Sequence, residues 1–174
     1  KFSAAEVGVK LSIDWVNAKD FEKGKDAETL DQYDGILVPG GFGESGIEGK
    51  IKAIQFAREH KVPYLGLCLG AQIMTIEFAR AFLKDPELTS EEFDEEGKLT
   101  HAKYVVHFLP GQHKGRAKGG TLRLGVYECK LKKGSRAHKA YGTLRISERH
   151  RHRYEFNNAF KEKLEKNGLL FSGE

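Results

Sequence analysis

Cysteine is scarce in this sequence, which has two, Cys68 and Cys129, among 174 residues. Two cysteines cannot form the disulfide framework that stabilises many small secreted domains. No run approaches the ~18 uncharged apolar residues that a membrane-spanning helix needs. These shortages exclude the disulfide-scaffold and membrane classes, so we expect a cytoplasmic protein without a membrane partner.

The composition is that of an ordinary globular domain, with 39% hydrophobic and 31% charged residues. That share of apolar residues can build a core, and the length suits one domain better than two. Charge is spread unevenly: residues 113–153 carry 13 lysines and arginines against 2 acidic residues, whereas residues 85–96 are strongly acidic. Because aromatic residues are not interleaved with the basic ones at stacking spacing, we expect no nucleic-acid partner.

Short apolar runs alternate with helical patterns in the first half of the chain. Residues 35–38 and 63–67 are typical of buried parallel strands, and residues 49–60 and 69–83 carry apolar residues at helical spacing. Alternation over residues 10–15 predicts another strand. These units indicate an α/β fold with a parallel sheet. In the second half the pattern predicts strands over 103–109, 121–131 and 144–146, a helix over 157–167 and the start of a strand at 168–172.

Cys68 lies in the stretch Gly66-Leu67-Cys68-Leu69-Gly70, between a predicted strand and a predicted helix. This G-x-C-x-G pattern is a nucleophile elbow with cysteine as the nucleophile. The turn is sharp, and side chains two positions before and after the nucleophile would collide, so both positions require glycine. The helix start favours thiolate over thiol, and the Leu69 N–H would point at a forming oxyanion. A buried structural cysteine is the alternative explanation.

A second glycine-rich turn, Pro39-Gly40-Gly41-Phe42-Gly43, ends the neighbouring predicted strand. Both turns would meet at the carboxyl edge of the sheet, where ligands bind in α/β proteins. N–H groups of this turn could complete an oxyanion hole, in which one donor is worth ~3–4 kcal/mol of transition-state stabilisation. A phosphate-binding loop or a plain turn is the alternative, although the Gly-Lys-Ser/Thr ending of a P-loop is lacking.

Longer stretches resemble a known family. Residues 39–50 and 63–72 are similar to class I glutamine amidotransferases, and residues 119–125 and 147–158 resemble the glutaminase domains of the CTP synthase family. The resemblance runs from about residue 11 to residue 173. It implies a three-layer α/β sandwich with a mostly parallel central sheet, the flavodoxin-like arrangement of these amidotransferases.

The resemblance also implies an activity. Family members hydrolyse L-glutamine to glutamate and ammonia through a cysteine thioester, with no cofactor or metal in this domain. The ammonia passes to an amino-terminal synthetase domain, which uses ATP and Mg²⁺ to aminate UTP to CTP. We therefore expect residues 1–174 to be an amidotransferase domain that is incomplete at both ends. Its synthetase domain would lie outside this chain, and the full-length protein would be a homo-oligomer.

Matching motifs assign roles to individual residues. Cys68 would be the nucleophile, and the N–H groups of Gly41 and Leu69 would hold the oxyanion. Glutamine is a zwitterion, which needs an anion for its ammonium and a cation or N–H groups for its carboxylate. A solvated or scaffold role is the alternative for the charged members of the set. The substrate-binding residues that the resemblance assigns are Gly41, Phe42, Gln72, Glu92 and Arg153.

The general base is missing from the pattern. Family members carry it in a His-Pro-Glu phrase near the carboxyl end, and this sequence has no His-Pro-Glu and no His-x-Glu. Either these residues lie in a tail beyond residue 174, or the chain is cut short, or it is an inactive or regulatory relative that binds without catalysis. Another cysteine hydrolase of the superfamily is a further alternative. A metal site at His150, His152 and Cys129 is disfavoured, because no second paired-ligand motif accompanies it.

Overall fold

Parallel strand–helix units build the first half of the molecule. The computed structural model describes residues 2–94, 96–109 and 123–174. The elements of the first half are α1 (Phe2–Glu6), α2 (Ala18–Glu22), a 3₁₀ turn (Ala27–Leu30), β1 (Ile36–Val38), α3 (Ile47–Glu59), β2 (Tyr64–Gly66) and α4 (Leu69–Leu83). Strands β1 and β2 pair in parallel, with Val38 opposite Gly66. Their carboxyl ends therefore lie side by side.

The second half is made of shorter strands. Its elements are β3 (Thr89–Ser90), a 3₁₀ turn (His101–Lys103), β4 (Tyr104–Phe108), β5 (Arg123–Lys130), α5 (Arg136–Tyr141), β6 (Arg145–His152), β7 (Tyr154–Phe156), a 3₁₀ turn (Asn158–Phe160) and α6 (Lys161–Lys166). Strand β4 pairs in parallel with β3 and antiparallel with β7. Strands β5 and β6 form a separate antiparallel pair.

Helices α3 and α4 bury the main hydrophobic core between themselves and β4. Ile73, Ile76 and Val105 are completely buried there. The apolar spacing of α4 places these isoleucines on one face, so the helix packs on the strands as an amphipathic element does. The opposite face of the β1–β2 pair is open in the described structure, where Leu37 and Leu65 pair in register and are 56% and 54% exposed.

The α/β fold with parallel strand pairs is confirmed. Predicted and observed bounds agree for α4 and differ by at most two residues at each end for β1, β2, α3 and β4. Within the described ranges, hydrogen bonding divides the strands into three small sheets rather than one. None of the described helices is long and apolar enough to cross a bilayer.

Two strand predictions are wrong. Residues 10–15 form no strand, and Leu11 and Ile13 are about half exposed, because no described strand pairs with this segment. Residues 168–172 form no strand either, and an isolated bridge joins Leu131 to Gly173 just beyond them. In the predicted strand 121–131, the first two residues lie outside the described structure, and the remainder forms β5 up to Lys130.

Candidate active site

Cys68 occupies a strained turn between β2 and α4. Its φ of 52° and ψ of −109° place a non-glycine residue in a region that L residues rarely adopt. Leu67 N–H donates to the Val38 carbonyl at 2.9 Å, which fixes the start of the turn to β1. The Cys68 side chain is exposed. The strained backbone therefore presents the thiol to solvent at the carboxyl edge of the β1–β2 pair.

The two glycines that flank the elbow have no room for a side chain. A Cβ at Gly66 would lie 2.5 Å from the Ala71 nitrogen, and one at Gly70 would lie 2.1 Å from the Val38 carbonyl oxygen. Backbone atoms cannot yield at such distances without moving the strand or the helix. The G-x-C-x-G spacing is thus a packing requirement of this turn, as the pattern predicts.

Helix α4 begins immediately after the thiol. Leu69 is its first residue, and Cys68 occupies the N-cap position. The first N–H groups of a helix have no acceptor inside the helix and carry the positive end of its dipole. The Leu69 N–H is therefore available to an anion that forms beside Cys68.

The glycine-rich turn after β1 reaches the same place. A Cβ built on Gly40 would lie 3.4 Å from the Cys68 Cβ and 4.0 Å from its Sγ, and one on Gly41 would lie 3.3 Å from the Leu69 Cδ2. Phe42, next in the turn, is 79% exposed. The structure thus brings together the two turns that the sequence predicts to meet, while the role of Gly41 and Leu69 as oxyanion donors stays a prediction.

Glu92 lies in the turn that follows β3 and contacts the glycine-rich turn. Its Oε1 accepts a hydrogen bond from the Gly43 N–H at 3.0 Å. Burial raises the pKa of the Glu92 carboxyl above its usual range, although the Gly43 N–H and the positive charge of Arg153 both act to lower it. The two charged residues predicted to bind a zwitterion are therefore near neighbours.

Gln72 and Tyr154 join α4 to the second half of the chain. Gln72 follows Cys68 by one helical turn, and its Nε2 donates to the Tyr154 carbonyl at 3.2 Å. The Tyr154 hydroxyl is hydrogen-bonded to the Arg153 side chain, and burial raises the pKa of that hydroxyl to about 12. Tyr154 thus contacts Gln72 through its backbone carbonyl and Arg153 through its hydroxyl, beside the elbow.

A cavity of about 810 Å³ opens next to the thiol. Cys68 and Gln72 line it from the side of α4, and Tyr154 and Phe156 line it from β7. Small-molecule sites are commonly of this size. The cavity is large enough for an amino acid, and the exposed sulfur lies in its wall.

Two histidines that received no catalytic role from the sequence line the same cavity. His150 Nδ1 lies 3.0 Å from His152 Nε2, and His152 Nδ1 lies 2.9 Å from the Tyr154 carbonyl. Burial lowers the pKa of His152, which favours the neutral ring. Alternation along β6 places both rings on one face of the strand, a signal that the sequence does contain. In the described part of the chain, no histidine hydrogen-bonds Cys68.

Glu92→Gln is expected to raise the melting temperature at neutral pH. Because burial raises the pKa of Glu92, the folded protein binds this proton more tightly than the unfolded chain, so ionisation of Glu92 lowers stability. A neutral amide does not ionise and so avoids this loss of stability. The difference in melting temperature between variant and parent should shrink as the pH falls through the raised pKa of Glu92. Melting temperatures measured from about pH 4 to pH 8 test this, with Glu87→Gln as an exposed control. A variant that melts no higher than the parent at neutral pH contradicts it.

Comparison with known proteins places the chain among relatives of similar sequence and structure. The family model described as glutamine amidotransferase class-I matches residues 3–174. A CTP synthase from Carboxydothermus hydrogenoformans is 52% identical over 164 residues, 94% of this chain and 30% of that protein. A CTP synthase from Dehalococcoides mccartyi is 48% identical over 171 residues, 98% of this chain and 31% of that protein. The chain thus spans less than a third of the length of these relatives.

A solved structure is similar over almost the whole chain. It is the glutaminase domain of Trypanosoma brucei CTPS with bound acivicin, and it superimposes with a TM-score of 0.85 at 34% sequence identity. The match covers 98% of this chain and 64% of that one.

Proposed function

Since the chain belongs to the class I glutamine amidotransferase family, we propose that it is the glutaminase domain of a CTP synthase. The domain would hydrolyse L-glutamine through a thioester on Cys68. The observation that carries this proposal is the exposed, strained Cys68 at the start of α4, with Gly40 beside it and Gly41 beside Leu69. Acivicin is an amino acid, and its presence in the similar Trypanosoma brucei domain supports an amino-acid pocket here.

In the proposed first half-reaction, the Cys68 thiolate attacks the side-chain amide carbon of glutamine. A C–S bond forms, the carbonyl π electrons move to oxygen, and the N–H groups of Gly41 and Leu69 hold the oxyanion. The intermediate collapses to a thioester as the C–N bond breaks, and the departing nitrogen takes a proton and leaves as ammonia. Water then attacks the thioester, which releases glutamate and returns the proton to the thiol.

The proton transfers need a general acid and base, which we assign to a histidine oriented by a carboxylate. None of the described histidines hydrogen-bonds Cys68, and the curated relatives are about three times as long as this chain. We place the base in the remainder of the protein. The same observation favours a second candidate function, a domain that binds glutamine without hydrolysing it.

The remaining proposals concern the whole protein. A synthetase domain would use ATP and Mg²⁺ to aminate UTP with the ammonia made here, and this domain would need no cofactor of its own. We propose residues 1–174 as the amidotransferase part of a cytoplasmic homo-oligomer. The length and the names of the curated relatives support a synthetase domain beside this one.

Covalent labelling tests the proposed site. The chloromethyl ketone analogue of glutamine loses chloride when a thiolate forms a C–S bond with it, and the product is identified by mass spectrometry. We expect Cys68 to react at least about 100-fold faster than Cys129, because the pocket holds the reagent against one sulfur only. An excess of glutamine should protect Cys68. Equal labelling of the two cysteines, without protection, contradicts a glutamine site at the elbow.

A further inference from the structure

We propose that Glu92 fixes the glycine-rich turn in place, in addition to binding the substrate ammonium, and is thereby a positioning residue for the oxyanion hole. This inference rests on the proposed function, since it concerns the Gly41 N–H of the same site. It gives one carboxylate two tasks, one for each oxygen. The Gly43 N–H occupies Oε1 at 3.0 Å, and under the proposed function the second oxygen would receive the substrate ammonium.

The glycine-rich turn depends on this contact because it has little else to hold it. Within the described ranges, no other residue distant in sequence hydrogen-bonds the backbone of residues 40–43. Gly40 and Gly41 lie against Cys68 and Leu69, but Phe42 is exposed and Gly43 has a positive φ of 79°, so side-chain packing does not hold the outer end of the turn. A turn built of three glycines among five residues also loses much conformational freedom when it is ordered. Among the described residues, the Glu92 carboxylate is therefore the one distant group that restrains this turn, and with it the Gly41 N–H, through a hydrogen bond.

The turn that carries Glu92 is itself firmly attached to the core. Ser90 is 1% exposed, and its Oγ accepts from the Glu92 N–H at 3.2 Å. Glu91 binds β4 twice, through its N–H to the Val106 carbonyl and through its Oε2 to the Phe108 N–H, both at 2.9 Å. The turn that carries Glu92 is therefore fixed to the buried strand β4. Glu92 in turn holds the glycine-rich turn, which has few contacts of its own.

Electrostatics strengthen the same contact. A hydrogen bond from an N–H to a carboxylate is about twice as strong as one between neutral groups. Burial raises the pKa of Glu92 above its usual range, while the Gly43 N–H and the positive charge of Arg153 oppose that rise and favour the ionised form. An ammonium bound at the second oxygen would add to that effect. Substrate binding at Glu92 and order in the glycine-rich turn are thus expected to reinforce each other.

Two substitutions separate the two tasks. Glu92→Gln removes the negative charge but keeps an oxygen that can accept from the Gly43 N–H. Glu92→Ala removes the charge and the acceptor together. The chloromethyl ketone analogue of glutamine reports both effects on the full chain, because its saturation constant KI depends on ammonium binding. Its maximal rate kinact depends on how well the oxyanion-hole N–H groups hold the oxygen of its ketone carbonyl.

We expect KI to rise about 10- to 100-fold in both variants, since both lose a charge-assisted partner of the ammonium. The two variants should differ in kinact. In Glu92→Gln it should stay within about 2-fold of the parent, and in Glu92→Ala it should fall at least about 10-fold, because a displaced oxyanion donor stabilises the transition state poorly. Equal kinact values in the two variants would overturn the inference.

Controls keep this outcome separate from misfolding and from failure of the proposed function. Glu87→Ala removes a carboxylate from the same acidic segment, and Lys103 keeps Asp85 as its partner, so both constants should stay at the parent values. Iodoacetamide, which carries no ammonium, should alkylate Cys68 at one rate in all these proteins if the elbow is folded. If Glu92→Ala slows alkylation by iodoacetamide as much as it lowers kinact, the elbow itself is damaged. That result contradicts the positioning role. If the parent itself shows no saturable labelling, the proposed function fails.

Discussion

Cys68→Ser is expected to abolish glutamine-dependent amination in the protein that joins this chain to the proposed synthetase domain. A serine hydroxyl at this position is not ionised near neutral pH, so the thioester chemistry has no competent nucleophile. Loss of a nucleophile of this kind typically lowers the turnover rate by at least about 10³-fold. Formation of CTP with glutamine as nitrogen donor, followed by its ultraviolet absorbance, measures the effect.

Amination from added ammonium chloride bypasses Cys68 and should persist in Cys68→Ser. Cys129→Ser serves as the matched control, because Cys129 lies on β5, paired with Ile146, and is not among the residues that line the cavity beside Cys68. Glutamine turnover that survives in Cys68→Ser contradicts the assigned nucleophile. A parent protein that binds glutamine without hydrolysing it supports the binding-domain alternative.

Gly70→Ala is expected to destabilise the protein strongly. Its Cβ would lie 2.1 Å from the Val38 carbonyl oxygen, which also accepts the Leu67 N–H at 2.9 Å. Relief of the clash must either move β1 or separate α4 from it, and either change breaks the buried core beneath the elbow. We expect a loss of at least about 4 kcal/mol in the free energy of unfolding, measured by urea denaturation followed by circular dichroism.

Gly41→Ala is the matched control for that substitution. Its Cβ would meet the Leu69 Cδ2 at 3.3 Å, at the end of a flexible side chain that can rotate away. The unfolding free energy should therefore change by no more than about 1 kcal/mol. If both variants lose a similar free energy of unfolding, any added side chain in this region is destabilising. The clash with the Val38 carbonyl would then not be the cause.

The elbow could be predicted from sequence because local chemistry determines it. A short apolar run, a glycine on each side of the cysteine and an apolar helical repeat from residue 69 place β2, the turn and α4 without any long-range information. The approach of Gly40 to Cys68 followed from the parallel pairing of two adjacent strands.

Features that depend on distant partners could not be predicted in this way. The alternation over residues 10–15 satisfies a strand pattern, yet a strand forms only where another strand offers its backbone. The contact between Glu92 and Gly43 joins residues 49 positions apart in the chain, and one sequence contains no signal for such a pair. The short strand β7, which aligns Tyr154 with Gln72, was missed for the same reason.

The location of the sulfur is a property of the sheet and not of the surrounding loops. Gly66, Gly70 and the Val38 carbonyl fix Cys68 from below, through atoms that belong to β1, β2 and α4. Loops at the rim can therefore change in length and sequence while the sulfur keeps its position. Under the proposed function, a protein engineer could therefore reshape the rim of the pocket without moving the nucleophile.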